Sequence, residues 1–133
     1  MSAERVTYLD SSAIVKLALN EPESRALRQY LRRRAPLVSS SLARVEVTRA
    51  LLPLGAPVSE RGRAVLDRIT LVRITDRVVR AAGDLLPAEL RSLDALHLAT
   101  VGELGDQVAR VVTYDGRLAA AAEAMGWTVA APA

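Results

Sequence analysis

Apolar and polar positions along this chain follow two periods in turn. Residues 6–9, 36–39, 70–74, 109–113 and 127–129 are short apolar runs, several of them rich in β-branched side chains. Each reads as a strand, and runs apolar on both faces suit a covered parallel sheet. Between them, apolar residues recur every three or four positions over 13–19, 22–31, 42–54, 59–69, 76–86, 92–104 and 115–125, the spacing of a helix face. Helix starts and stops fall where expected. Asp10-Ser11-Ser12, Ser40 or Ser41, Ser59, Thr75 or Asp76, and Ser92 offer N-caps, and Pro22 suits a first turn. Pro53, Gly55 and Pro57 end the third helix, Pro87 stops the fifth, Gly105-Asp106 is a turn and Gly126 ends the last. Strands alternating with helices predict a three-layer α/β/α fold around a short, mainly parallel central sheet. No repeat, linker or low-complexity segment interrupts it, so residues 1–133 read as one domain.

Composition narrows the chemistry. Cysteine is absent, which excludes disulfides, zinc–thiolate sites and thiol nucleophiles. No leader pattern or long apolar span is present, so the expectation is a cytoplasmic protein without a membrane segment. Net charge is +3, and Lys16 is the only lysine among 18 basic residues. Arginine suits bidentate phosphate contacts. A GC-rich genome yields the same enrichment, so the charge is compatible with nucleic acid without proving it.

Four acids stand out because each adjoins an apolar segment that reads as core. Asp10 and Asp115 follow strands, at the edge of a parallel sheet where ligands bind. Glu46 falls between Leu42 and Ala50 on its helix, and Asp94 shares a face with Leu98 and Val101. Each has an ordinary alternative: an N-cap for Asp10, an ion pair with Arg44 or Arg49 for Glu46, a first-turn acid for Asp94, a turn residue for Asp115. Gathered together, two such charges at roughly 4 Å repel by about 4 kcal/mol at an effective dielectric near 20 and call for a cation. Carboxylate oxygens are hard ligands, suited to Mg²⁺ or Mn²⁺ and not to zinc. Ser12 and Thr113 are placed to orient waters without adding charge, or simply to cap. His97, the only histidine, lies one turn from Asp94; it reads as a supporting residue that packs beside the site or pairs with that carboxylate.

The order of these residues resembles a known family. Tyr8-Leu9-Asp10-Ser11-Ser12-Ala13, Glu46 in the third helix, Leu93-Asp94-Ala95-Leu96-His97-Leu98-Ala99 and Val112-Thr113-Tyr114-Asp115-Gly116-Arg117-Leu118 resemble, over essentially the whole chain, the PIN-domain family and most closely its VapC toxins. The resemblance implies a Mg²⁺- or Mn²⁺-dependent endoribonuclease whose metal site is Asp10, Glu46, Asp94 and Asp115, with Asp10 and Asp94 the surest ligands. Ser12 and Thr113 match positions where the family often carries hydroxyls. It further implies a homodimer, a small VapB-like antitoxin seated near the site in a heterotetramer or larger assembly, and promoter DNA bound only through that antitoxin.

Other readings fit less well. A receiver domain needs a late lysine, and Lys16 is early. A dehalogenase-type phosphatase needs Asp at position 12, where Ser stands. A non-catalytic PIN-like module normally shows lost acids. A metal-dependent nuclease outside a toxin–antitoxin pair shares every residue named, and only the family resemblance favours RNA over DNA.

Overall fold

The structure is a computed structural model and describes residues 5–133. Five strands, β1 (Val6–Leu9), β2 (Leu37–Ser40), β3 (Thr70–Val72), β4 (Val108–Val112) and β5 (Val129–Ala130), form one sheet in the order β3-β2-β1-β4-β5. All four pairings are parallel. Seven helices surround it: α1 (Ser11–Ala18), α2 (Ser24–Leu31), α3 (Leu42–Leu51), α4 (Ala56–Asp67), α5 (Asp76–Asp84), α6 (Ser92–Leu104) and α7 (Gly116–Ala124). The expected α/β/α architecture is therefore present.

Strand alternation builds the two cores. On β1, Leu9 faces one side with Val112 of β4, where Ala13, Ile14, Val47, Leu51 and Leu66 from α1, α3 and α4 enclose them. Tyr8 faces the other side with Val38, Val111 and Val101 of α6. Both Tyr8 and Leu9 are fully buried, as a central parallel strand requires. A third cluster, Leu98, Leu118, Ala121 and Ala122, seats α7 against α6.

Some boundaries differ from the sequence expectation, each for a local reason. Helix α4 begins at Ala56, with Pro57 in its first turn and Gly55 before it at φ 98°. Proline there continues a helix because its missing N–H has no intrahelical partner to lose, and the left-handed residue before it is a glycine. Ser59 is thus buried inside α4 and caps nothing. Between Leu51 and Gly55 the chain tightens into a 3-10 turn, Leu52–Leu54. Ser92 is likewise inside α6, whose cap position is Arg91 with no side-chain bond. The third strand stops at Val72, and the last moves on to Val129–Ala130, leaving Trp127 to pack beneath it.

Helix α4 approaches α3 at Gly62, where an added Cβ would run into the Leu51 side chain. Leu51 is buried and cannot swing outward. Gly62→Val is therefore expected to lower the unfolding free energy by about 1–3 kcal/mol, although valine is the better helix former. Urea denaturation measures it, and an unchanged midpoint would show that α4 shifts freely.

Candidate active site

The sheet order reverses between β1 and β4: the chain winds outward to β2 and β3 on one side and to β5 on the other. A parallel sheet opens a crevice at the carboxyl edge of such a switch point. Asp10 directly follows β1, and Thr113 directly follows β4.

Asp10 leaves β1 with extended backbone and caps α1. Its Oδ1 accepts from the Ser12 hydroxyl at 2.6 Å and the Ala13 amide at 3.1 Å; its Oδ2 accepts from the Thr113 hydroxyl at 2.6 Å. The residue is 4% exposed. Burial is the dominant influence and raises the carboxyl pKa, while the bonds from Ser12, Thr113 and Ala13 pull it back. The two hydroxyls also reach onward. Ser12 Oγ accepts from the Tyr114 amide at 2.9 Å, and Thr113 Oγ1 accepts from the Asp115 amide at 3.0 Å.

Asp115 caps α7, its Oδ1 accepting from the amides of Arg117 at 2.9 Å and Leu118 at 3.3 Å. Asp94 occupies the first turn of α6, with Arg91 at 3.8 Å, beyond hydrogen-bond range. Burial raises the Asp94 carboxyl, the Asp115 charge raises it further and Glu46 adds to this; Arg91 and His97 oppose it. Glu46 reaches across from α3. Its Oε1 accepts from His97 Nε2 at 2.7 Å and Ser11 Oγ at 2.5 Å. Burial works against its ionisation, but the bonds from His97 and Ser11 and the influence of His97 outweigh burial and hold the carboxyl below its usual range.

The ordinary and the functional readings of the acids thus coexist for Asp10 and Asp115, which are caps and also sit at the switch point. Glu46 pairs with His97, while Arg44 turns to Asp67 at 3.8 Å. His97 is buried, and its hydrogen bonds go to Glu46 and Tyr8, with Ser11 Oγ 3.5 Å from Nε2, rather than to Asp94. Among the described residues, no three Asp, Glu or His side chains form a ready-made metal cluster. The donor chemistry nevertheless suits a hard divalent cation: the groups are carboxylate and hydroxyl oxygens, and Asp94 and Asp115 repel each other.

Three polar residues escaped the sequence reading. Tyr8 places its hydroxyl 2.7 Å from His97 Nδ1, and Ser11 binds Glu46. Lys16 lies in a cleft of about 400 Å³ with Ser12, Glu46 and Tyr114. It is held by Glu23 at 2.8 Å and Glu21 at 3.5 Å, with its ammonium 5.0 Å from the centre of the Tyr114 ring. The Tyr114 hydroxyl in turn donates to the Pro132 carbonyl at 2.6 Å. A second cleft, of about 340 Å³, carries Asp94, Arg91 and Arg117 over an apolar floor that includes Ala120 and Ala121. The adjacency of Tyr8 and Ser11 to Asp10 was the available signal. Their partners lie 89 and 35 positions away and are invisible to local spacing.

The PIN-domain family matches residues 7–124. The chain belongs to this family. It is 57% identical over 125 residues to Ribonuclease VapC46 of Mycobacterium tuberculosis, covering 94% of this chain and 96% of that one. In fold, this PIN domain is similar to the crystal structure of VapC20 of M. tuberculosis, a toxin that cleaves the sarcin–ricin loop. The TM-score is 0.75 at 16% identity, over 95% of this chain and 99% of that one. It is also similar to a chain of a toxin–antitoxin complex from Klebsiella pneumoniae, with a TM-score of 0.73 at 19% identity, over 96% and 98% of the two chains. PIN-domain nucleases generally depend on a divalent metal. No helix among the described residues is long and apolar enough to cross a membrane.

Asp94 is an acid whose carboxyl is raised on folding. Its neutral form therefore favours the folded state below the ordinary carboxyl range, and that stabilisation is lost as pH rises through the folded value. In EDTA near pH 7, Asp94→Asn is expected to melt higher than the natural chain, roughly 3–6 °C for each ~1 kcal/mol of relieved repulsion. The advantage shrinks below about pH 4, where the carboxyl is neutral in both states. Calorimetry at the two pH values checks this, and a lower melting point at pH 7 contradicts it.

Proposed function

We propose that this chain is the toxin of a toxin–antitoxin pair, an endoribonuclease that hydrolyses RNA phosphodiesters with Mg²⁺, or Mn²⁺ in its place, held by Asp10, Glu46, Asp94 and Asp115. The ligand set is supported by Asp10 and Asp115 lying just beyond β1 and β4 at the switch point, and by an Asp94 carboxyl that burial and the charges of Asp115 and Glu46 raise. The likeness to Ribonuclease VapC46 over nearly the full length supports RNA as substrate. When bound, the divalent cation supplies charge neutralisation at the phosphodiester and a water acidic enough to attack it.

The chain's own residues do the rest. Ser12 and Thr113 hold Asp10 in place, and their bonds oppose the effect of burial on its ionisation. Asp115 presents its second oxygen while the first is tied to α7. Arg91 and Arg117, at the cleft beside Asp94, offer bidentate donors for phosphates on either side of the bond to be cut. A small VapB-like antitoxin silences the enzyme by covering this edge, and promoter DNA is reached only through the antitoxin; the likeness to a chain of a solved toxin–antitoxin complex supports such a partner. The protein acts in the cytoplasm as a homodimer, and heterotetramers or larger assemblies form with the antitoxin. Exposed Val45 and Leu52, seven residues apart on α3 and its continuation, supply an apolar stripe for such contacts.

The test is cleavage of a mixed RNA pool with MgCl2, MnCl2 or EDTA, beside single-stranded DNA of matched length. Asp10→Asn, Glu46→Gln, Asp94→Asn and Asp115→Asn are each expected to cut roughly 10²-fold more slowly or worse, because several kcal/mol of charge stabilisation is lost. EDTA abolishes cutting, and DNA survives. Equal cutting by the natural chain and all four variants would falsify the ligand set; preferential cutting of DNA would overturn the substrate.

A further inference from the structure

His97 is buried between two partners on opposite edges of its ring. Nε2 lies 2.7 Å from Glu46 Oε1, and Nδ1 lies 2.7 Å from the Tyr8 hydroxyl. The Tyr8 and His97 rings meet edge to face, with centroids 5.9 Å apart at 79°. A phenol carries its proton near neutral pH, so the Tyr8 hydroxyl can donate to the ring nitrogen 2.7 Å away. An ionised Glu46 only accepts. One proton arrangement satisfies both: Tyr8 O–H donates to Nδ1, and Nε2–H donates to Glu46. The Ser39 hydroxyl is close enough to weigh on Tyr8 but lies outside hydrogen-bond geometry, so it does not compete for the phenolic proton. At the far end, Glu46 Oε1 is engaged twice, by His97 and Ser11, and Oε2 has no hydrogen bond among the described residues.

We propose that Tyr8 and His97 are positioning residues: Tyr8 fixes the tautomer of His97, and His97 with Ser11 clamps Glu46 through one oxygen, leaving the other directed to the cation. The inference rests on Glu46 being a ligand, as proposed above, but its first half concerns the protein alone. A histidine held in one tautomer by a group behind it orients the group in front, and loss of such outer partners typically weakens metal binding about 10–100-fold. Helix α3 packs on the Leu9 side of β1 and α6 on the Tyr8 side, and no hydrophobic cluster among the described residues contains both helices. The relay therefore also sets the distance between the Asp10 and Glu46 anchors.

Because the chain has a single histidine, long-range ¹H–¹⁵N spectra of the metal-free protein at about pH 8, above the ordinary imidazole range, read its tautomer directly. The natural chain is expected to show Nε2 protonated and Nδ1 bare, and Tyr8→Phe to show a mixture. Calorimetric titration with MnCl2 reads the second half. Tyr8→Phe and His97→Leu are expected to bind Mn²⁺ roughly 10-fold more weakly, whereas His97→Gln, which keeps an N–H near Glu46, recovers most of the affinity. Nδ1 protonated in the natural chain overturns the proposal even if Tyr8→Phe does not fold. A pure tautomer in Tyr8→Phe, or equal losses in the Leu and Gln variants, overturns it too. If the natural chain takes up no Mn²⁺, the ligand set fails instead, and the metal-free spectra still decide whether Tyr8 sets the tautomer.

Discussion

A carboxylate buried at the centre of the sheet governs this molecule. Moving a charge out of water costs several kcal/mol even after relaxation, and only close donors offset it. Asp10 has three, and they come from both sides of the switch point: Ser12 and Ala13 from the start of α1, Thr113 from the end of β4. The bonds therefore do structural work beyond satisfying Asp10. They tie the two central strands at their carboxyl ends, where backbone pairing is about to stop, and they hold the crevice at a fixed width. Ser12 and Thr113 then pass the constraint to the amides of Tyr114 and Asp115. The entry to α7 is set by the same small network.

Around that anchor the chain concentrates negative charge against its own average. The net charge is +3, yet burial and the charges of Asp115 and Glu46 raise the Asp94 carboxyl. Arginines elsewhere create a field that attracts polyanions, while the acids raise local repulsion that Asp94 registers directly.

Much of the fold was legible because strand runs and helix faces are local signals. Val6–Leu9 and Val108–Val112 declare themselves by apolar, β-branched side chains, and Asp10 by its place between a strand and a capping pair. Asp94 and Asp115 were visible for the same reason. Errors came where one residue type serves two ends of a helix: Pro57 and Ser59 read as a stop and a start, but Gly55 is the true boundary. His97 carried the opposite difficulty. Its neighbour in sequence is Asp94, one turn away, but its partners are Tyr8 and Glu46, brought in by the stacking of α6 and α3 against β1. Helical spacing says which residues share a face; it does not say which of them meets a side chain from another element.

The bond from Tyr114 to the Pro132 carbonyl draws the end of the chain back beside the cleft that contains Lys16 and Glu46. The polypeptide enters the sheet at Val6, on the opposite rim. The two ends are thus unequal as attachment points. Chain beyond β5 is thereby held next to the cleft that Tyr114 lines, so a bulky group attached to Pro132 would compete for the same space, whereas Val6 lies at the other end of β1.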